Sequence, residues 1–83
     1  MKILYFAWIK SKVGIGEEDL SPPASVATVG ALVEWLKGRS QSHAAAFAEL
    51  TVVRAAVNQD HVGLDHPIGP GDEVAFFPPV TGG

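Results

Sequence analysis

The sequence predicts an α+β domain in which a helix crosses one face of a mixed β-sheet. Three observations lead to this class. Runs rich in β-branched and aromatic residues occupy residues 2–9, 51–58 and 73–77. A stripe of apolar residues with helical spacing lies between the first and second runs. The chain has 83 residues, 47% of them hydrophobic, which suits a single small domain with a folded core.

The chain is predicted to begin with a hairpin. Residues 2–9 form its first strand, buried on one face and partly covered on the other. Residues 11–16 contain two glycines and are predicted to form a turn. Residues 17–21 form a polar second strand with Leu20 pointing inward, and Pro22-Pro23 then interrupts regular structure.

Two helices are predicted in the middle of the chain. Thr28 is a suitable N-cap, and Gly38 is placed to end the helix that follows. The apolar stripe of this helix falls at i, i+3, i+4 and i+7 and consists of Val29, Leu32, Val33 and Leu36. Residues 41–50 are alanine-rich and predict a second short helix, with the apolar members Ala45, Phe47, Ala48 and Leu50.

The second half of the chain is predicted to add strands. Residues 51–58 form a strand, 58–60 a turn and 61–64 a short strand. The glycine-rich segment 69–72 predicts a tight turn, and 73–77 is the last strand.

The two most hydrophobic strands, 2–9 and 73–77, are expected at the sheet centre. Because a crossover helix separates them in the chain, they are expected to be parallel. This is the order of the ubiquitin-like β-grasp fold. Residues 1–77 are predicted to form the domain and 78–83 a flexible C-terminal tail.

Composition excludes several classes of function. The chain has no cysteine, so it has no disulfide, no thiolate metal site and no cysteine nucleophile. Its net charge of −3 argues against nucleic acid and against an anionic membrane surface. The apolar N-terminus only faintly resembles a signal peptide, because Lys10 and Lys12 end the run and no cleavage site follows. We expect a cytoplasmic protein.

The C-terminal segment carries the predicted chemistry. Pro78-Pro79 stiffens the exit from the last strand, Val80-Thr81 follows, and Gly82-Gly83 has no side chains that would clash in a narrow channel. The carboxylate of Gly83 is therefore unhindered and can attack a nucleotide phosphate. The sequence has no phosphate-binding loop, so activation must occur in another protein's pocket. The competing hypothesis is that Gly82-Gly83 is a frayed, inert terminus.

Three segments together resemble the small subunit of molybdopterin synthase, the MoaD-type sulfur carrier. They are Ala56-Val57-Asn58-Gln59, then Asp65-His66-Pro67, and then residues 71–83. Phe6-Ala7 within the first strand also matches the family.

The resemblance implies that an E1-like enzyme adenylates Gly83 with ATP and that the adenylate becomes a thiocarboxylate. The tail then enters the large synthase subunit, where sulfur is transferred to cyclic pyranopterin monophosphate. The complex is expected to be a heterotetramer of two large and two small subunits. The chain is expected to bind no permanent cofactor and to be a sulfur donor rather than an enzyme by itself.

The resemblance also implies a docking surface on the sheet formed by Phe6, His61 and Phe77. Phe76 and Phe77 are adjacent in a strand and must point to opposite faces, and the family indicates that Phe77 is the exposed one. A histidine at position 61 departs from the apolar residue of the family. Lys10 and Lys12 are placed to flank this surface.

The remaining polar and aromatic residues are expected to lie at the surface or to pack, without a functional role. His43, His61 and His66 are expected at the surface or in turns, with no metal site. Trp8 and Trp35 are expected to pack, and the basic side chains Lys10, Lys12, Arg39 and Arg54 to be solvated. Three other functions stay open: a ThiS-type carrier for thiamine or another sulfur metabolite, a ubiquitin-like modifier, and a plain interaction module.

Overall fold

The computed structural model describes residues 1–79, which form a five-stranded mixed sheet with helices on one face. The elements in chain order are β1 (Lys2–Tyr5), α1 (Ala7–Val13), β2 (Glu17–Asp19), α2 (Val29–Lys37), α3 (Gln41–Ala46), a 3-10 turn (Leu50–Val52), β3 (Arg54–Val57), β4 (Asp60–Val62) and β5 (Glu73–Phe77). The strand order is β2-β1-β5-β3-β4. Strands β1 and β5 are parallel, and the other neighbours are antiparallel. The predicted α+β class and the central parallel pair are confirmed.

The first strand is shorter than predicted. It ends at Tyr5, and α1 occupies the segment that was expected to complete the strand and form the turn. The physical reason is that Ile9 and Val13, one helical turn apart, both enter the core. Gly14 ends this helix in the left-handed conformation, at φ 98°. Strands β1 and β2 do pair antiparallel as predicted, but a helix joins them instead of a tight turn.

Helix α2 is the predicted crossover helix, and its stripe is confirmed. Its buried residues are Val29, Leu32, Val33 and Leu36. Thr28 Oγ1 accepts a hydrogen bond from the Ala31 N–H at 3.1 Å. The N–H groups of Val29 and Gly30 donate to the carbonyls of His66 and Leu64, at 3.0 and 2.8 Å. The loop before β5 thus satisfies the donors that a helix N-terminus leaves free.

Helix α3 exists, but its predicted apolar members were partly wrong. It ends at Ala46, and Ala45 and Ala48 are exposed. The inward residues are His43, Ala46 and Phe47, because the short helix turns its i and i+3 positions toward the core.

The last three strands lie near their predicted positions. Strand β3 begins at Arg54 because residues 50–52 form the 3-10 turn. The predicted turn after β3 is confirmed, with Asn58 and Gln59 at φ 50° and 73°. Strand β4 ends at Val62, short of the predicted residue 64, and β5 has its predicted bounds.

The turn before β5 is also confirmed. The Asp72 N–H donates to the Gly69 carbonyl at 3.1 Å, and the Gly69 N–H donates to Asp72 Oδ2 at 2.7 Å. Asn58 Nδ2 donates to Asp72 Oδ1 at 3.0 Å, which ties the β3–β4 turn to this one. The bonds from Asn58 and from the Gly69 N–H hold the pKa of Asp72 below its ordinary value.

Within residues 1–79, no helix is long and apolar enough to cross a membrane.

Candidate functional site

The two faces of the sheet have different surroundings. Alternation along β5 turns Val74 and Phe76 to the helices, where both are fully buried. Phe77 points to the opposite face and is only partly buried. The expectation that Phe76 is internal and Phe77 is on the other face is therefore confirmed. We call the face that carries Phe77 the open face.

Strand register arranges the open face in two rows. The first row runs across four strands and contains Leu4, Ala75, Ala56 and His61, in that order. The two central members are alanines, so the middle of this row is a shallow floor between larger side chains. This floor was not predicted from the sequence, because it depends on which residues the register places side by side.

The second row lies at the end of the sheet where β5 finishes. The Phe6 N–H donates to the Phe76 carbonyl at 3.1 Å, so Phe6 extends β1 beside β5. Arg54 is the register partner of Phe77 on the other side. This row therefore contains Phe6, Phe77 and Arg54. His61 joins the two rows, since its ring centroid lies 5.1 Å from that of Phe77.

Phe6 is held outward by a sharp turn between β1 and α1. Its backbone is extended, its side chain is 47% exposed, and it caps α1 without a side-chain hydrogen bond. The next residue, Ala7, has φ 54°, a left-handed conformation that costs a non-glycine residue about 1–2 kcal/mol. The left-handed turn at Ala7, despite this strain, ends the strand and leaves Phe6 on the open face.

The predicted tail begins at the same end of the sheet. Pro78 and Pro79 follow Phe77 directly, are partly buried, and belong to no strand. The four other tail residues named from the sequence, Val80, Thr81, Gly82 and Gly83, lie outside the described residues. The described chain therefore leads from the open face into the segment that is expected to react.

Arg54, the register partner of Phe77, is exposed, and so are Lys10 and Lys12 on α1. Arg54 Nη1 donates to the carbonyls of Thr51 and Val53, at 3.2 and 3.4 Å. Arg39 is exposed, as expected, and its guanidinium carbon lies 4.9 Å from the centre of the Trp35 ring.

A buried polar network lies on the covered side of the sheet, and it corrects the expectation that His43 is at the surface. His43 is 7% exposed. Its Nε2 lies 2.7 Å from Glu18 Oε2, and its Nδ1 lies 2.7 Å from Ser40 Oγ. The Tyr5 hydroxyl donates to the same Glu18 oxygen at 2.7 Å. The network therefore joins β1, β2 and α3.

The other two histidines fit the prediction, since His61 is exposed and His66 lies in a loop.

The network shifts the pKa values of two of its members. Burial and the bond to Glu18 raise the pKa of the Tyr5 hydroxyl far above its ordinary value. Burial also tends to raise the pKa of Glu18, but the hydrogen bonds from His43 and Tyr5 outweigh it, and the pKa of Glu18 is lowered. Glu18 is therefore an ionised acceptor, and His43 Nε2 carries the proton in their bond. Because the polar side chains of the network bond to one another, the network has a structural role.

Among residues 1–79, no three histidine or acidic side chains are grouped so that they could hold a metal ion.

The architecture defines a ubiquitin-like β-grasp protein whose last strand leads into a Gly-Gly terminus. A model of the ThiS family matches residues 3–83. The chain is 43% identical to the molybdopterin synthase sulfur carrier subunit of Escherichia coli (strain K12), over 100% of this chain and 99% of the relative. It is 35% identical to the subunit of the same name from Haemophilus influenzae, with the same coverage. The chain therefore belongs to the ThiS family, and its relatives place it with the MoaD-type members.

Solved structures share the fold. One from Pyrococcus furiosus, described as molybdopterin converting factor subunit 1, has a TM-score of 0.77 and 33% identity over 95% of each chain. The small archaeal modifier protein 1 of Haloferax volcanii has a TM-score of 0.68 and 27% identity, over 96% of this chain and 97% of the other. In the complex of subunits 1 and 2 of the Helicobacter pylori molybdopterin-converting factor, the similar chain has a TM-score of 0.63 and 21% identity over 99% and 96%. The last likeness is one of fold alone.

Proposed function

We propose that this chain is the sulfur carrier subunit of molybdopterin synthase, with the carboxylate of Gly83 as the sulfur-carrying group. The observation that carries this proposal is the family match, which extends through residue 83 and includes the terminal Gly82-Gly83. The relatives at 43% and 35% identity have this name, and their likeness spans the whole chain.

The proposed reaction begins with activation of a poor acyl donor. An oxygen of the Gly83 carboxylate attacks the α-phosphorus of ATP, pyrophosphate leaves, and an acyl adenylate forms. Sulfur at the oxidation level of hydrosulfide then attacks the carbonyl carbon, AMP leaves, and a terminal thiocarboxylate remains. Inside the large subunit, the thiocarboxylate sulfur adds to an electrophilic carbon of cyclic pyranopterin monophosphate. Water then hydrolyses the acyl–sulfur bond, so that the sulfur stays on the pterin and Gly83 returns to a carboxylate. ATP is consumed by the E1-like activating enzyme, and this chain needs no cofactor of its own.

The open face is proposed as the surface that both the E1-like activating enzyme and the large subunit bind. It carries Phe6, Phe77 and His61 at the end of the sheet from which the chain continues into residues 78–83. Six residues can span at most about 21 Å when fully extended. A reactive centre must therefore lie within that distance of the docked face. Two large and two small subunits are proposed to form the complex, and the cytoplasm is its proposed location.

The proposal predicts that the position of the Gly83 carboxylate decides function. A strain lacking its own carrier subunit should make molybdopterin when it expresses this chain. Deleting Gly83, or adding one alanine after it, should abolish molybdopterin formation, because the carboxylate is moved from its reactive position.

The control is the thermal unfolding of both variants, which should match that of the unaltered chain, since Phe76 is the last core residue within residues 1–79. Molybdopterin formation by a correctly folded Gly83 deletion would contradict the proposal.

A ubiquitin-like modifier is the second candidate, favoured by the 27% identity to small archaeal modifier protein 1. In that case Gly83 would form isopeptide bonds with lysines of other proteins. ATP-dependent adducts of higher mass on blots of the tagged chain, without rescue of molybdopterin synthesis, would favour it. A carrier for thiamine synthesis would instead rescue a thiamine-requiring strain.

A further inference from the structure

Ser40 lies at the exposed end of the buried polar network. It is the N-cap of α3, and its hydroxyl oxygen accepts a hydrogen bond from the His43 backbone N–H at 3.1 Å. The same oxygen lies 2.7 Å from Nδ1 of the His43 ring. Helix capping needs only the first of these bonds, so the contact with the ring is additional to capping. Both bonds fix the Ser40 hydroxyl, while the residue itself is open to solvent.

The other ring nitrogen of His43 is held by a carboxylate. His43 Nε2 lies 2.7 Å from Glu18 Oε2, and the two side chains are only 10% and 13% exposed. Because an ionised carboxylate can only accept, Nε2 carries the proton in this bond. In the neutral ring Nδ1 is then the acceptor, so the Ser40 hydroxyl donates its proton toward Nδ1.

This arrangement is that of an activated hydroxyl. A nucleophile within hydrogen-bond distance of a base, with the base oriented by a third group, is the common pattern of serine nucleophiles. Transfer of the Ser40 proton to His43 creates an imidazolium beside the Glu18 carboxylate, and this pairing stabilises the charged ring. The Tyr5 hydroxyl donates to the same Glu18 oxygen at 2.7 Å, which fixes the position of the carboxylate.

A second hydroxyl on α3 lacks these contacts. Ser42 is also exposed, but among the described residues its hydroxyl has no hydrogen bond to a base. Ser40 and Ser42 therefore present the same chemical group two positions apart, one with a base and one without. The comparison between them isolates the effect of His43 within one molecule.

We propose that Ser40 is an acyl-acceptor site, with His43 as its general base and Glu18 as the residue that positions His43. The substrate class is a small activated acyl donor, an ester or acyl phosphate with a good leaving group. Ser40 Oγ bonds to the carbonyl carbon, and the hydroxyl proton passes to His43 Nδ1. The bond to the leaving group breaks, and the leaving group takes its electron pair. His43 then releases the proton to water, and the product is an O-acyl serine.

The site lies among the helices, on the side of the sheet opposite the open face. Acylation of Ser40 is therefore a property beyond the proposed sulfur-carrier function. Its failure would leave that function untouched.

The test is acetylation of the chain by p-nitrophenyl acetate at about pH 8, where an ordinary imidazole is neutral. Samples are quenched with acid over time, and peptide mass spectrometry gives the rate at each serine. General-base assistance contributes about 10²–10⁴-fold in rate, so Ser40 should react at least about tenfold faster than Ser42. Equal rates at the two serines would overturn the proposal. So would an absence of both Ser40 acetylation and p-nitrophenolate release that Ser40→Ala removes.

Two variants separate activation from a purely structural role. Glu18→Gln should slow acetylation of Ser40 by about tenfold or more and leave the rate at Ser42 unchanged. The matched control is Tyr5→Phe, which removes another bond to the same carboxylate but keeps the contacts from Ser40 through His43 to Glu18. It should leave the rate at Ser40 nearly unchanged.

Thermal unfolding checks that each variant is folded, and the comparison of Ser40 with Ser42 in the unaltered chain needs no variant. Equal losses in folded Glu18→Gln and Tyr5→Phe would overturn the proposal, because the rate would then follow the integrity of the network. An unchanged Ser40 rate in Glu18→Gln would overturn it as well.

Discussion

Phe76 and Phe77 are neighbours in β5, yet they have opposite surroundings. Phe76 is fully buried, stacks on Tyr5 with ring centroids 6.4 Å apart and meets Phe47 edge-on at 4.9 Å. Phe77 contacts His61 on the open face and remains partly exposed. The two faces of the sheet therefore differ in role, because the covered face holds the fold together and the open face is available for recognition.

The largest expected difference is in stability. Phe76→Ala should lower the free energy of unfolding by about 3–5 kcal/mol, because it leaves a cavity among aromatic rings. Phe77→Ala should lower it by only about 1 kcal/mol, because less apolar area is lost from a partly exposed site. Urea denaturation of both variants measures the difference. Equal losses would show that the open face is part of the core.

For binding, Phe77 should matter more than Phe76, which is the reverse of their order in stability. Phe77→Ala, although folded, should weaken association with the large subunit by about 2 kcal/mol or more if Phe77 is a central contact. Calorimetric titration provides the measurement, and Lys37→Ala on α2 provides a control far from the open face. Unchanged affinity of the Phe77→Ala variant would rule out the open face as the docking surface.

A smaller effect should come from the polar network on the covered side. The pKa of Glu18 is lowered in the folded chain, so its contribution to stability is present above its ordinary value of about 4.5. That contribution should be lost as pH falls through the lowered folded value. Glu18→Gln should weaken the dependence of stability on pH below about 4.5.

The Glu18→Gln variant should also be less stable at neutral pH by about 1–3 kcal/mol, because hydrogen bonds to a carboxylate are replaced by weaker ones. Thermal unfolding across this pH range tests both statements. Identical pH profiles for the variant and the unaltered chain would mean that the network does not set the acid stability of the domain.

The covered face was the more predictable of the two. The i, i+3, i+4, i+7 stripe of α2 and the hydrophobic run of β5 were located correctly, because burial dictates their periodicity. Helix α1 was missed, since Phe6-Ala7-Trp8-Ile9 has the composition of a strand and the chain turns at Ala7 without a glycine. Tertiary packing of Ile9 and Val13 overrode local propensity there.

The open face was predicted only in part. Phe6, His61 and Phe77 were named through family resemblance, and the structure brings the rings of His61 and Phe77 into contact. The alanine floor of Ala56 and Ala75 depends on strand register, which no local pattern specifies. The burial of His43 was missed for a similar reason, because its acceptor Glu18 lies 25 residues away in the chain.

Intact-protein mass spectrometry of the chain, purified after co-expression with its activating enzyme, can show whether Gly83 carries sulfur. We expect a population heavier by the replacement of one oxygen with one sulfur, and fragmentation should place that change at Gly83. The alanine-extended variant should show no such change at Gly83. An unmodified Gly83 carboxylate under conditions in which the strain makes molybdopterin would show that Gly83 is not the sulfur-carrying group.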